Sequence, residues 1–145
     1  MFSRVLLCSD GSEQALNAAG AAAEISKRFG GHITALHVFQ VPVAPVAAVG
    51  AVGLDSAMLE PPNEGVQDAV VQRTSAALES VGAAYTIRRE LGFSPAEVIL
   101  RVANEEQSEL IVLGSHGAGA VERFLLGSIS DRVVHHAHCA VLIVK

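Results

Sequence analysis

The stretch Leu110–Ser130, LIVLGSHGAGAVERFLLGSIS, ends an apolar run in glycines at 114, 117, 119 and 127, two of them followed by serine. A loop that leaves a strand and returns to a helix N-terminus presents unpaired N–H groups and the positive end of the helix dipole. Glycines let that backbone approach an anion with no Cβ in the way. Ser115, Ser128 and Ser130 add hydroxyl donors, and His116 lies among them. This is the composition of a phosphate cradle. The same residues also suit a plain turn at Gly114–Gly119, followed by an N-cap at Ser128 with Asp131 three residues on.

Two standard phosphate motifs are ruled out. A P-loop needs a lysine before its Ser or Thr, and Leu126-Gly127-Ser128 has none. A dinucleotide fingerprint starting at Gly117 and Gly119 meets Glu122 where its third glycine belongs. His116 can donate to a phosphate, but a lone imidazole in this sequence pattern does not amount to a catalytic pair. GFSPA lacks the second glycine of a nucleophile elbow. His135, His136, His138 and Cys139 suggest a metal site, but adjacent helical residues point about 100° apart, and helix-end histidines are the better reading.

These residues need a scaffold. Five short apolar runs, Arg4–Ser9, His32–Phe39, Ala84–Leu91, Glu109–Gly114 and Ala140–Lys145, alternate with helical patterns at Ser12–Phe29, Glu64–Val81, Pro95–Glu106 and Ser128–Ala137. Such alternation predicts βαβ units and a parallel sheet. SPAE predicts a capping box from Ser94 to Glu97 with Pro95 at the first helical position, and DGSE another from Asp10 to Glu13. Gly30 and Gly31 stand where a left-handed C-cap is wanted. Gln40–Asn63 shows no period, and leaves the sheet after the second strand, where it could form a lid.

With 145 residues the chain is read as one domain, 1–145. Half of it is hydrophobic and its mean hydropathy is +0.41, which hints at surface buried against another subunit. A net charge of −5 leaves little for binding a nucleic-acid backbone. Cys8 and Cys139 form no disulfide framework and read as small buried hydrophobes. The uncharged run Val41–Leu54 is shorter than a membrane span and holds two prolines. No targeting segment stands out, so a cytoplasmic protein with no membrane partner is expected.

The whole pattern resembles the universal stress protein family. Its nucleotide-binding branch carries G-x2-G-x9-G-[S/T], supplied here by Gly114, Gly117, Gly127 and Ser128. LLCSDGSEQA, ALHVF, GFSPAEVIL and GSISDRVVHHAHCAVLIVK resemble further family segments in order. The resemblance implies a Rossmann-like α/β domain, doubly wound, with a five-stranded parallel sheet of order 3-2-1-4-5 and helices on both faces. It also implies ATP across the carboxyl edge. Gly114, Ser115, His116 and Gly117 would wrap ribose and phosphates, with Gly127, Ser128, Ile129 and Ser130 at the phosphate chain. Asp10 would lie near the ribose and a nucleotide-bound Mg²⁺, and the Val38 main chain would meet adenine. Many relatives carry a basic residue where Ala118 stands, and APCPV where this chain reads AHCAV.

The resemblance further implies a homodimer through Ala140–Lys145, whose edge would otherwise lie bare. Three functional readings follow: a nucleotide-dependent regulator in stress response acting on a partner protein, a slow ATPase or phosphotransferase, and a dimeric scaffold with structural glycines. The regulator is the favoured one, because efficient phosphoryl transfer needs a base and cationic stabilisation that the cradle does not supply.

Overall fold

The computed structural model describes residues 1–41, 61–117 and 126–145. In chain order the elements are β1 (Arg4–Cys8), α1 (Glu13–Phe29), β2 (His32–Gln40), α2 (Glu64–Val81), β3 (Tyr85–Gly92), α3 (Pro95–Glu105), β4 (Leu110–Gly114), α4 (Ser128–His136) and β5 (Ala140–Val144). The strands form one sheet of order β3-β2-β1-β4-β5 with every ladder parallel, as the resemblance implied. Most of the unassigned run after β2, residues 42–60, lies outside the described residues, as do Ala118 and Arg123.

Side chains alternate along each strand, so the sheet faces two cores. Val5 and Leu7 of β1, Ile33 and Ala35 of β2 and Val112 of β4 pack with α1 and α2. Leu6, Leu36, Ile111 and Leu113 point the other way, towards α3 and α4. All five residues of β4 are buried, as expected of a parallel strand covered on both faces.

The α1 helix buries Ala15, Ala18, Ala19, Ala22, Ala23 and Ser26, a stripe at helical spacing built from the strongest helix former. Its C-cap Gly30 adopts the left-handed conformation, at φ 65°, as its position predicted. The N-cap differs from expectation. Ser12, not Asp10, caps α1 by accepting from the Ala15 N–H, while Asp10 Oδ1 accepts the Ser12 N–H at 3.0 Å. Asp10 therefore closes an Asx-type turn one step before the helix.

The Ser94 box is also incomplete. Ser94 stands at the N-cap in extended geometry, but its side chain makes no capping bond. Glu97 instead pairs with Arg132 at 2.7 Å, linking α3 to α4. At α4 the cap position falls on Gly127, so Ser128 is the first helical residue rather than the cap.

Candidate functional site at the carboxyl edge

Strand order reverses beside β1: β1 continues into α1 on one face, while α4, which follows β4 in the chain, packs on the other. Such a switch point opens a crevice at the carboxyl ends of the strands. A cleft of about 280 Å³ lies there. Of the residues expected to form the site, Asp10, Val38, Gly114, His116, Gly117, Ile129 and Ser130 line it. Ser115, Gly127 and Ser128 are not among the residues that line it.

Close packing explains the glycines. A Cβ at Gly114 would come within 3.0 Å of Gln14 Cβ and 3.1 Å of its carbonyl carbon, so β4 ends hard against α1. A Cβ at Gly117 would lie 2.8 Å from Asp10 Oδ2. At Gly127 it would stand 3.2 Å from the Ser115 carbonyl oxygen. The Gly127 N–H donates to that same oxygen at 2.7 Å, so this amide fastens the loop ends together and is not turned towards a ligand. The Ser115 N–H is likewise used, donating to the Val144 carbonyl and extending the β4–β5 ladder. Ser130 Oγ donates to the Gly114 carbonyl at 2.8 Å.

The first intrahelical bond of α4 is that of the Asp131 N–H to the Gly127 carbonyl. The amides of Ser128, Ile129 and Ser130 precede it, and a helix offers such amides no acceptor of its own. Their side chains divide: Ser130 is buried, while Ser128 and Ile129 are exposed. An anion at this end would meet backbone N–H groups and the dipole.

Sequence reasoning missed the opposite wall. Pro95 and Ile99 of α3, with Leu36 of β2, give the cleft an apolar side facing the polar loop, and Gln40 stands at the end of β2 beside it. The signal was available: both the end of β2 and the start of α3 must lie at the carboxyl edge of a parallel sheet. Cys8 also lines the cleft, and burial pushes its thiol well above the ordinary range, so it stays protonated. Cys8 and Cys139 are free and half-buried, less enclosed than expected.

A polar network supports the turn that carries Asp10. Ser9 Oγ and Thr74 Oγ1 are 2.8 Å apart, and the Gly11 N–H donates to Ser9 Oγ at 3.3 Å. His37 Nδ1 is 3.0 Å from the Ser9 carbonyl oxygen. Elsewhere, His135 Nδ1 turns back to the Asp131 carbonyl at 2.8 Å. Among the described residues no group of three or more metal-ligating side chains converges. Nor, among them, is any helix long and apolar enough to cross a membrane.

Fold and site together define a doubly wound α/β protein with a half-polar, half-apolar cleft at its switch point. The universal stress protein family model matches residues 1–145, and the chain belongs to that family. A universal stress protein of Methanocaldococcus jannaschii is 34% identical over 145 residues, covering all of this chain and 83% of the relative. Among solved structures, the universal stress protein UspA from Lactobacillus plantarum superposes with a TM-score of 0.79 at 26% identity, over 99% of this chain and 98% of the other. A universal stress protein in complex with cAMP gives a TM-score of 0.75 at 21% identity, over 99% and 97% of the two chains. The last likeness is one of fold.

Proposed function

We propose that this protein is an adenine-nucleotide-binding regulator, taking ATP at the carboxyl-edge cleft and acting through a nucleotide-dependent choice of protein partner in stress response. The observation that carries the reading is the placement of Gly117 against Asp10 at a cleft whose far end is the N-terminus of α4. A side chain at 117 would displace the Asp10 carboxylate, and the amides beyond it suit phosphate oxygens. The apolar wall of Pro95 and Ile99 suits the flat face of a base, with the Val38 main chain at its edge. The relative solved with cAMP supports the ligand class.

Asp10 fits one role towards Mg²⁺. Its Oδ1 is held by the Ser12 N–H, while Oδ2 faces Gly117 on the cleft side. One carboxylate is too few for a site made by the protein alone, so the ion would arrive bound to phosphate, as Mg²⁺ commonly does. No lysine or arginine lines the cleft among the described residues, which favours binding over efficient phosphoryl transfer.

The commitment of the Gly127 amide to Ser115 favours a second reading, a scaffold whose loop glycines are structural. In either case the exposed edge of β5 would pair with its copy across a two-fold axis. Denaturing the purified protein and identifying released nucleotide, then titrating stripped protein with Mg·ATP by calorimetry, separates the two. Stoichiometric nucleotide or micromolar binding supports the regulator. Its absence, with no heat at several temperatures, leaves the scaffold.

A further inference from the structure

His37 is fully buried near the end of β2, on the face covered by α1 and α2. Its ring lies nearly parallel to that of Phe39, 6.4 Å away. A carbonyl oxygen can only accept, so the 3.0 Å contact with Ser9 places the ring proton on Nδ1. Nε2 is then a bare lone pair, sealed from water and without a hydrogen-bond partner among the described residues. Protonating it would leave a charged N–H with nothing to donate to, an arrangement the interior strongly disfavours.

The first half of α2, on the same face of the sheet, is lightly anchored. His37 pairs with Arg89 in the sheet, and Arg89 binds Asp68 of α2 at 2.7 Å. No residue of α2 before Thr74 is buried, and Thr74 and Leu78 are the helix's buried residues. Its first turns are therefore the least costly part of this face to lift. They also bear on the nucleotide site, since Thr74 bonds Ser9 and Val70 packs on the Gly11 backbone. Lifting α2 removes the Thr74 bond and the Val70 contact from the Ser9–Asp10–Gly11 turn, and an imidazole that turns out towards water gives up its bond to the Ser9 carbonyl as well, leaving the turn to the Ser9–Leu36 backbone bond.

We propose that His37 is a pH-sensitive latch on the nucleotide site: neutral, it holds the Asp10 turn in place, and its protonation in acid opens the first turns of α2 and weakens nucleotide binding. The inference rests on the nucleotide reading of the cleft. The charges acting on the ring are Asp10 from the β1–α1 turn and Arg89 from β3, the latter paired with Asp68 of α2, while Glu13 of α1 and Arg73 of α2 are exposed. Desolvation lowers the imidazole below its ordinary 6.5, opposed by the Ser9 carbonyl, helped by Arg89 and opposed again by Asp10. Proton uptake therefore falls below the ordinary histidine range. A new cation near the cleft would by itself attract an anion. Once opening exposes the ring to water that attraction is screened, and the loss of the turn decides the sign.

The test compares Mg·ATP and cAMP affinities of the wild type and His37→Gln from about pH 7.5 to about pH 5, beside an NMR titration of the wild-type imidazole. Both proteins share the ligand's own titration, so the ratio of their dissociation constants isolates His37. The expected result is that wild-type affinity falls about threefold or more relative to the variant, as the binding-competent fraction shrinks. The His37 resonance should titrate below its ordinary value, with the amide signals of Ser9–Gly11 and the first turns of α2 moving in step. A constant ratio, or imidazole titration without movement of those amides, overturns the latch. If neither protein binds nucleotide at any pH, the functional reading fails, and the amide response alone decides whether His37 controls the turn. Should His37→Gln not fold, the wild-type titration still decides.

Discussion

The Asp10 carboxylate and the Gly117 backbone are in contact across the mouth of the cleft, with only 2.8 Å between Oδ2 and the position a Cβ would occupy. Oδ1 is tied to the Ser12 N–H, so the carboxylate can yield only by leaving its turn. Gly117→Val should therefore weaken Mg·ATP binding about tenfold or more, roughly 1.4 kcal/mol. Thermal stability should change little, because the atom displaced is the end of an exposed side chain. Calorimetry and a melting curve on the same sample check both halves. Undiminished binding would count against the site.

Thr74 supports that turn from the opposite face of the sheet. Thr74→Val keeps the shape and removes the hydroxyl that meets Ser9, leaving the buried Ser9 O–H without its acceptor while Ser9 Oγ still accepts the Gly11 N–H. The expected loss is about 1–3 kcal/mol of unfolding free energy. Faster hydrogen exchange at Gly11 and Ser12 should accompany it. Urea melts and exchange measured together distinguish this from a general loosening.

Glu90 bonds Arg101 at 2.9 Å and Arg88 at 2.8 Å, and these arginines hold its carboxyl below the usual 4.5. A lowered carboxyl contributes stability that is present above the unfolded value and lost as pH falls through the folded one. Glu90→Gln should cost about 1 kcal/mol or less near neutrality, and nothing once the pH lies below both values. Denaturant midpoints of the two proteins should converge in strong acid. Parallel curves throughout would show that the pair does not matter.

Among the described residues β5 is flanked by β4 alone, and Val141–Val144 are half-buried. Ile143 is half-buried against the core under α3 and α4, and a charge there lies on the strand that a docked subunit would pair with. Ile143→Lys is expected to halve the sedimenting mass while far-UV circular dichroism stays native-like. An unchanged sedimentation profile would argue against a dimer through this strand.

Much of this architecture was legible because it follows from local rules. Apolar runs of strand length between helical patterns gave the parallel sheet, and Gly30 marked its helix end through the left-handed conformation. What failed had two acceptors or donors in competition. Asp10 and Ser12 could each have capped α1; the resemblance put Asp10 by the ribose, and its closeness to Gly117 shows how the turn brings it to the cleft. Glu97 had both a box partner and Arg132 within reach, and Arg132 lies 35 residues away. The Gly127 amide has the right spacing for phosphate, yet its partner Ser115 comes from the other end of the loop. His37 carried no signal beyond its place in a strand, since burial of one ring nitrogen depends on a helix that crosses much later.

The alanine stripe of α1 acts as a spacer. It sets how near the helix axis lies to the sheet, and with it the gap between the Asp10 turn and the end of β4, where Gln14 already touches Gly114. Enlarging Ala18 or Ala22 would tilt or lift the whole rod, and the displacement would be felt at the cleft without any cleft residue having changed. The width of the cleft is thus tuned by the smallest side chains in the protein, one or more helical turns away.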